Sequence, residues 1–306
     1  MEQIKKLYSE NRPDLSEKSI YVYLNTIKMI LTKMNSNEPE IFVKDPPKVI
    51  DAIYEMYSNL NSRKNKLGVV LSYLNLINDV KSKDLYTKEI VIINDQINNQ
   101  LATNKKNSKE SKNWMTDSDV QTIENDLKNK LILPIKSLSD LNHYRDYVIF
   151  KLYNVLPTRN DLADSKIIYH SKNELSPEHN YIILNNKKDK SITYELNNYK
   201  TYNTYGKKIL KIDSKLYDML DIYKKSLDKI LHTDNLLNTD TGIKMTRNRL
   251  SVYYQKLGEV VGKKITTTLN RHRAVSNVID VEKIKNLAHT MGHSINQAVN
   301  VYAKKN

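Results

Sequence analysis

Arg271 occupies the position in this chain that most plainly needs a chemical explanation. It shares a helical face with Ala274, Val275, Val278 and Ile279, at offsets of 3, 4, 7 and 8, while Arg273 falls on the polar side with Asn277 and Asp280. Arg271 is therefore expected to point inward and Arg273 outward. An inward guanidinium destabilises a fold unless an anion meets it. That anion is either a carboxylate of the fold or a phosphate arriving from outside. Further on, His289-Thr-Met-Gly-His293 sets two imidazoles four residues apart. Gly292 interrupts the helix and no acidic partner follows, so no metal is assigned there. Tyr302 continues the inward face of Ile295 and Val299, as a core tyrosine would. Upstream, Arg159 follows the end of a helix stopped by Pro157 and precedes an acidic turn holding Asp161 and Asp164. Lys200 lies in a polar turn in the company of Lys187, Lys188, Lys190, Lys207 and Lys208.

Composition narrows the possible partners. The 306 residues hold 49 Lys+Arg against 35 Asp+Glu, a net charge of +14, which favours a polyanion such as nucleic acid over an acidic small substrate. Zero Cys excludes disulfides, thiolate zinc sites and cysteine nucleophiles. There is no P-loop, dinucleotide-type glycine fingerprint, GxSxG or HExxH. No long apolar run suggests a membrane helix, and the first residues lack the apolar stretch of a secretory signal. The 21 Tyr against 2 Phe, with abundant Asn and Lys, look like AT-rich coding bias. One Lys or Tyr alone therefore carries little information.

The elements that must position these residues fall into two domains. Ile20, Leu24, Ile27, Leu31 and Met34 predict an amphipathic helix capped by Asp14 or Ser16, followed by a loop closed at Pro46-Pro47. Helices follow over 48–58 and 62–78, the latter with Leu67, Val70, Leu74 and Ile77 inward. Arg63, Lys64 and Lys66 near its start form either a solvated basic face or a phosphate-contacting surface. Residues 102–113 have no apolar periodicity and four Lys, and read as a polar linker between a helical domain, 1–101, and a second domain, 114–306. The second domain opens with a capping-box-like start at Thr116 to Asp119 and a helix over about 141–155. Three strands, at 182–184, 192–196 and 209–212, suggest a small antiparallel sheet. Helices resume from Ser214, with breaks near Gly242 and Gly262. The fold class is mainly α with a small antiparallel sheet. Arg247 and Arg249 follow Thr246, a helix cap. They could sit over phosphates or enter a groove, or be simple surface charge. Phosphate neutralisation predicts DNA binding that falls steeply with salt.

The C-terminal stretch resembles the catalytic domain of tyrosine recombinases, the phage-integrase family. Arg271 matches that family's second arginine box, and Gly292-His293 and Tyr302 match its Gly-His…Tyr box. The gaps of 22 and 9 residues fit. Arg159 in LPTRNDLADSKI resembles the first arginine box, in the form found in integrases of virophages and other DNA viruses of eukaryotes. Lys200 in NYKTYNTYGKKILKI stands at the place of the family's catalytic lysine. The helical domain more loosely resembles the family's core-binding domain.

The resemblance implies that Tyr302 attacks a DNA phosphodiester, giving a 3′-phosphotyrosine and a free 5′-hydroxyl. A phenol of pKa about 10 needs help to lose its proton. Arg159 and Arg271 would meet charge on the non-bridging oxygens, each such donor being worth on the order of 10²–10³ in rate. Lys200 would protonate the leaving oxygen, and His293 would donate to phosphate or assist proton transfer. Asp161 or Asp164 would orient Arg159. No cofactor or metal is implied, because the cations are side chains. Two departures stand out: Thr268 occupies the place of the usual His, and only four residues follow Tyr302 where many relatives carry a helix that docks on a neighbouring subunit.

The resemblance implies a two-domain DNA clamp working as a homo-tetramer on two DNA sites. Its role would be integration, excision or resolution of a mobile or viral genome. It would act inside a cell wherever the target DNA lies: a host nucleus or viral factory if viral, otherwise the cytoplasm. The alternatives are a type IB topoisomerase, whose arginine-to-histidine stretch is generally longer, and a DNA-binding protein with a dead site. Tyr302→Phe is expected to retain DNA binding in a mobility-shift assay and to lose the covalent adduct on a denaturing gel. An adduct that persists would show the nucleophile to be another residue.

Overall fold

The computed structural model describes residues 1–103, 105–170, 174–278 and 281–303. The chain divides into two units, Met1–Thr103 and Asn104–Asn306. In the first, helices span Glu2–Asn11, Glu17–Lys33, Ile41–Lys44, Pro46–Met56, Leu60–Leu76 and Val80–Ala102. Ser16, Asp45, Asn59 and Asp79 each accept a first-turn backbone N–H, a contact worth ~1 kcal/mol per helix. Pro46-Pro47 does not close a loop. It opens the fourth helix, where a missing N–H costs nothing. Ile20, Ile27, Leu31, Leu67, Val70 and Leu74 are buried as their spacing predicts, while Ile77 lies beyond its helix and is 39% exposed. No helix among the described residues is long and apolar enough to cross a membrane.

In the second unit, strands β1 (Ser165–Tyr169), β2 (Asn180–Asn186), β3 (Ser191–Leu196) and β4 (Lys208–Ile212) form one sheet in that order. The three expected strands, β2 to β4, pair antiparallel, and β1 adds to them in parallel. The sheet is therefore mixed. The helix Leu138–Val155 packs Leu141, Val148, Phe150 and Leu152 into the main core with Ile167, Ile182, Leu184, Ile192 and Leu210. Thr116 and Asp119 close the expected capping box on the helix Asp117–Asn129. Period-two alternation governs β4: Lys208, Leu210 and Ile212 are buried and Ile209 and Lys211 exposed.

Residues 105–113, within the stretch read as a polar linker, belong with the second unit. Asn107 and Glu110 form a capping box on a helix over Ser108–Asn113. Asn113 Oδ1 accepts the Lys264 backbone N–H at 2.7 Å, and Lys106 Nζ sits 4.2 Å from the centroid of the Trp114 ring. A six-residue helix held by polar contacts leaves no apolar periodicity to read. Near the C-terminus, the helix carrying Arg271 covers Thr267–Ser276 and a separate one covers Val281–Met291. Ile279 and Asp280, placed on the faces of the first helix by periodicity, lie outside the described residues, as do the last three residues of the tail. Arg271 points inward and Arg273 outward, the latter paired with Asp117 at 2.6 Å.

Asn180, at the start of β2, ties together the loops that carry the site. Its Oδ1 accepts the backbone N–H groups of Asn197 and Asn198 at 2.9 and 2.8 Å. Its Nδ2 donates to the carbonyls of Asn198 and Asp161 at 2.9 and 3.3 Å. It is fully buried, so no water replaces these bonds. Asn180→Ala is expected to lower unfolding free energy by about 2–4 kcal/mol in denaturant titration, because buried donors and acceptors lose their partners. A loss within error would show that the loops hold one another without it.

Candidate active site

Tyr302 stands in the pocket of its own chain, with 6% of its surface exposed. Its hydroxyl oxygen accepts from Arg271 Nη1 at 3.2 Å and lies 3.0 Å from His293 Nε2. Two helix ends create this arrangement. The helix Val281–Met291 closes with a glycine in the left-handed region: Gly292 has φ +68°, its N–H meets the His289 carbonyl, and the His293 N–H meets the Ala288 carbonyl. A Cβ at Gly292 would stand 2.7 Å from Thr201 Oγ1, so the position also needs glycine for space. Ser294 then caps the next helical turn, Ile295–Gln297, which widens into a π-turn over Ala298–Tyr302. The wider turn moves the inward face: Ala298 and Tyr302 are buried, whereas Ile295 and Val299, expected inside, are exposed.

Arg271 is 6% exposed, and its three nitrogens meet only neutral oxygens in Thr267, Thr268 and Tyr302. Among the described residues no carboxylate pairs with it or with Arg159. Burial first, and then Arg159, push the guanidinium of Arg271 down from its ordinary pKa. A second buried arginine shows what a structural role looks like. Arg145, 2% exposed, is neutralised by Asp146 at 2.7 Å and Asp240 at 3.0 Å. The helix bearing Arg145 brings its own carboxylate, and the helix bearing Arg271 does not.

His293 links the two guanidinium groups. Its Nδ1 lies 3.0 Å from Gln297 Oε1, an acceptor only, so Nδ1 carries the proton and Nε2 is left as an acceptor. Tyr302 O–H and Arg159 Nη2, at 3.0 and 3.3 Å, both donate to that nitrogen. Burial, then Arg159, Arg271 and Lys208, lower its pKa to about 4, so the ring is neutral near pH 7. Arg159 itself precedes the turn Asn160–Asp164, and its carbonyl accepts from Tyr153 O–H at 3.1 Å. The turn is pinned to the helix of Arg271 by Thr267 Oγ1 on Asn160 Oδ1 at 3.2 Å.

Four of the five sequence-derived residues thus converge: Arg159, Arg271, His293 and Tyr302. Lys200 does not join them; its side chain is exposed, although its neighbours Tyr199 and Thr201 pack against Gly292. The lysine at the site is Lys208, 3% exposed, whose ammonium donates to the His289 carbonyl and lies 4.9 Å from the centroid of the Tyr205 ring. Burial and the nearby Arg159 lower its pKa. Strand alternation carried that signal, because Lys208 shares the inward side of β4 with Leu210 and Ile212. His272, next to Arg271, was also missed; it packs edge-on against the Tyr302 ring at 5.1 Å. Thr268 accepts from Arg271 Nη2 at 3.1 Å.

The remaining candidates divide by their partners. Arg247 pairs with Asp164, stands 3.5 Å from Asp161 Oδ1 and donates to the Asn198 carbonyl at 3.3 Å. It braces the turn after Arg159. Asp161 is buried and its pKa raised by that burial, against the pull of Arg247 and Arg159. Arg249 is exposed on the first turn of its helix, where Thr246 caps its backbone N–H. In the first unit Arg63 donates to the Tyr57 and Tyr54 carbonyls and Lys66 to Thr26 Oγ1, both partly buried, and Lys64 is half-buried beside them. Among the described residues no cluster of His, Asp or Glu forms a metal site. A cavity of about 620 Å³ is lined in part by Asn160, Lys264, Thr267 and Thr268.

No protein-family model matches the sequence, and no curated protein matches it significantly. Solved structures do match. A lambda integrase (75–356) dimer bound to a COC′ core site aligns with TM-score 0.57 at 12% identity, covering 97% of this chain and 92% of that one. Lambda Integrase (residues 75–356) bound to DNA gives 0.55 at 11% identity, over 98% and 94%. A lambda integrase tetramer bound to a Holliday junction gives 0.51 at 13% identity, over 97% and 75%. The fold is that of the lambda-integrase-like tyrosine recombinases: mainly helical, with a small four-stranded mixed sheet.

The depressed His293 pKa has a definite sign. The folded ring binds a proton less readily than an unfolded histidine near 6.5. Its contribution to stability is present above that value and is lost as pH falls toward about 4. Imidazole ¹⁵N spectra of the free protein should show His293 neutral, with Nδ1 protonated, from pH 8 to pH 5. An anion added to the pocket should move its titration upward. Titration near the ordinary histidine value in the free protein would contradict this electrostatic picture.

Proposed function

We propose that the chain is a site-specific DNA recombinase or integrase that cuts and rejoins strands through a 3′-phosphotyrosine intermediate. The observation that carries this reading is one constellation. A buried tyrosine hydroxyl lies between a bare histidine nitrogen and a guanidinium, a second guanidinium meets the same histidine, and among the described residues no carboxylate pairs with either. Such a pocket attracts one anion of phosphate size and holds a nucleophile beside it.

In this mechanism Arg159 and Arg271 receive the non-bridging oxygens of a DNA phosphate. The Tyr302 oxygen bonds to phosphorus as its proton passes to His293 Nε2, and the P–O5′ bond breaks. A phosphate between the two arginines offsets their charge on the ring, which raises the basicity of His293 at the step that uses it. The leaving 5′-oxygen takes a proton from a lysine. Lys208 suits this role better than Lys200, since burial and Arg159 make its ammonium a stronger acid. Rejoining reverses each transfer with a 5′-hydroxyl as nucleophile. The phosphotyrosine conserves the bond energy, and no cofactor takes part.

The tetrameric lambda integrase on a Holliday junction supports a homo-tetramer on two DNA sites for this chain. The LPTRNDLA stretch supports an element of the kind found in DNA viruses of eukaryotes, with integration, excision or resolution as its role. Localisation follows the target DNA. The exposed Arg249, together with Lys64, remains the proposed contact to the DNA backbone, while Arg63, Lys66 and Arg247 contribute charge from sites they already brace.

Suicide DNA substrates test the reading: the unmodified protein should form a covalent 3′ adduct and should need paired sites for strand exchange. Relaxation of any supercoiled plasmid without paired sites would instead support a type IB topoisomerase. On the same substrates Lys208→Ala should cut at least about 10²-fold more slowly. A sulfur leaving group in place of the 5′-oxygen should restore the rate, because a thiolate leaves without a proton. If Lys200→Ala shows that rescue and Lys208→Ala does not, the general acid is Lys200.

A further inference from the structure

We infer that Glu110 and His272 form a positioning pair that holds the ring of Tyr302 and ties it to the helix Ser108–Asn113. This inference rests on the reading of Tyr302 as nucleophile. Three side chains surround that ring. The Arg271 guanidinium lies 5.1 Å from its centroid, the His293 ring 5.0 Å away and tilted, and the His272 ring 5.1 Å away at an interplanar angle of 70°. The first two belong to the phosphate pocket. His272 has no place in the chemistry proposed above.

What fixes His272 is a carboxylate from far away in sequence. Its Nδ1 lies 2.9 Å from Glu110 Oε1, with both side chains buried from bulk water. The contact sets the imidazole edge against the carboxylate and so selects one of the two ring flips. The carboxylate is anchored in turn, because Oε2 accepts the Asn107 backbone N–H at 2.9 Å in the capping box of Ser108–Asn113. A serine braces the same layer: Ser276 Oγ donates to the His272 carbonyl at 2.7 Å and lies 3.4 Å from the Tyr302 carbonyl. A displacement of residues 107–110 therefore reaches the nucleophile through two contacts, carboxylate to imidazole and imidazole to phenol. Those residues lie just after the boundary between the units, at Thr103 and Asn104. The pair thus controls the attack geometry of Tyr302 and not the grip on DNA.

The test separates rate from affinity. His272→Phe keeps an aromatic edge against Tyr302 but cannot reach Glu110. It should slow single-turnover adduct formation by about tenfold or more, since a 1 Å misplacement of a reacting group costs on the order of 10²-fold, while DNA affinity stays unchanged. Glu110→Ala should give the same loss, and the double variant should be no slower than either single one. Glu110→Gln keeps an oxygen for the Asn107 N–H and a polar group of the same size beside His272, and should recover most of the rate. Thermal unfolding identifies a variant that has merely lost its fold. As a readout independent of cleavage, 3-fluorotyrosine at position 302 should show a shifted or broadened ¹⁹F resonance in His272→Phe and Glu110→Ala, and a resonance near the original in Glu110→Gln. Unchanged adduct rates together with an unmoved resonance overturn the pair. Failure of the unmodified protein to form any adduct would sink the functional reading alone, and the fluorine resonance would still decide whether the pair positions Tyr302.

Discussion

A guanidinium sealed from water, with no carboxylate partner among the described residues, is the interaction on which the second unit depends. Arg271 has its hydrogen bonds satisfied by a carbonyl and two hydroxyls. These dipoles replace water's hydrogen bonds but leave the charge uncompensated. Arg159 and Lys208 add positive charge nearby, and His293 responds by staying neutral. The pocket thus concentrates positive charge that no carboxylate among the described residues offsets. Arg145 shows that the same fold neutralises a buried arginine fully when its task is structural.

Holding several cations beside one phenol requires a scaffold stiff enough to resist their repulsion. Side-chain amides supply much of it. Asn180 joins β2 to the Asp161 turn, Asn160 joins that turn to Thr267 and to the Arg247 carbonyl, and Asn270 donates to the Tyr153 carbonyl. An amide both donates and accepts, so one residue can knit two loops without adding charge. Arg247 works with them by neutralising Asp164 beside the first arginine. Residues that look like surface cations in the sequence are therefore parts of the frame.

Several features of the structure leave little mark on the apolar pattern. Lys200 stood out because its turn matched a family pattern, while Lys208 was hidden among neighbouring lysines. Only the alternation of β4 separates a buried lysine from the exposed ones. Residues 102–113 read as a linker because their helix has no apolar face; its anchors are a cap, an amide and a carboxylate. Ile295 and Val299 were placed inward on a 3.6-residue period that the π-turn at Ala298–Tyr302 breaks. Polar anchoring and local changes of helical period leave little trace in hydrophobic patterning.

Several helices, the caps at Ser16, Thr116 and Thr246, three of the four strands and the order Arg159, Arg271, His293, Tyr302 were legible in the linear chain. Each depends on local chemistry: apolar spacing, a side-chain oxygen before a first turn, a glycine after a last one. The spacing of Gly292, His293 and Tyr302 is likewise local, since one helix end and one turn span it. That Arg159 and Arg271 meet no carboxylate among the described residues, that Arg159 meets His293 and that His272 packs against Tyr302 came only with the tertiary structure. Those properties are relations between segments separated in the chain, from about thirty residues to more than a hundred. Burial and charge at a point in space are sums over every segment that reaches it, and no local pattern contains that sum.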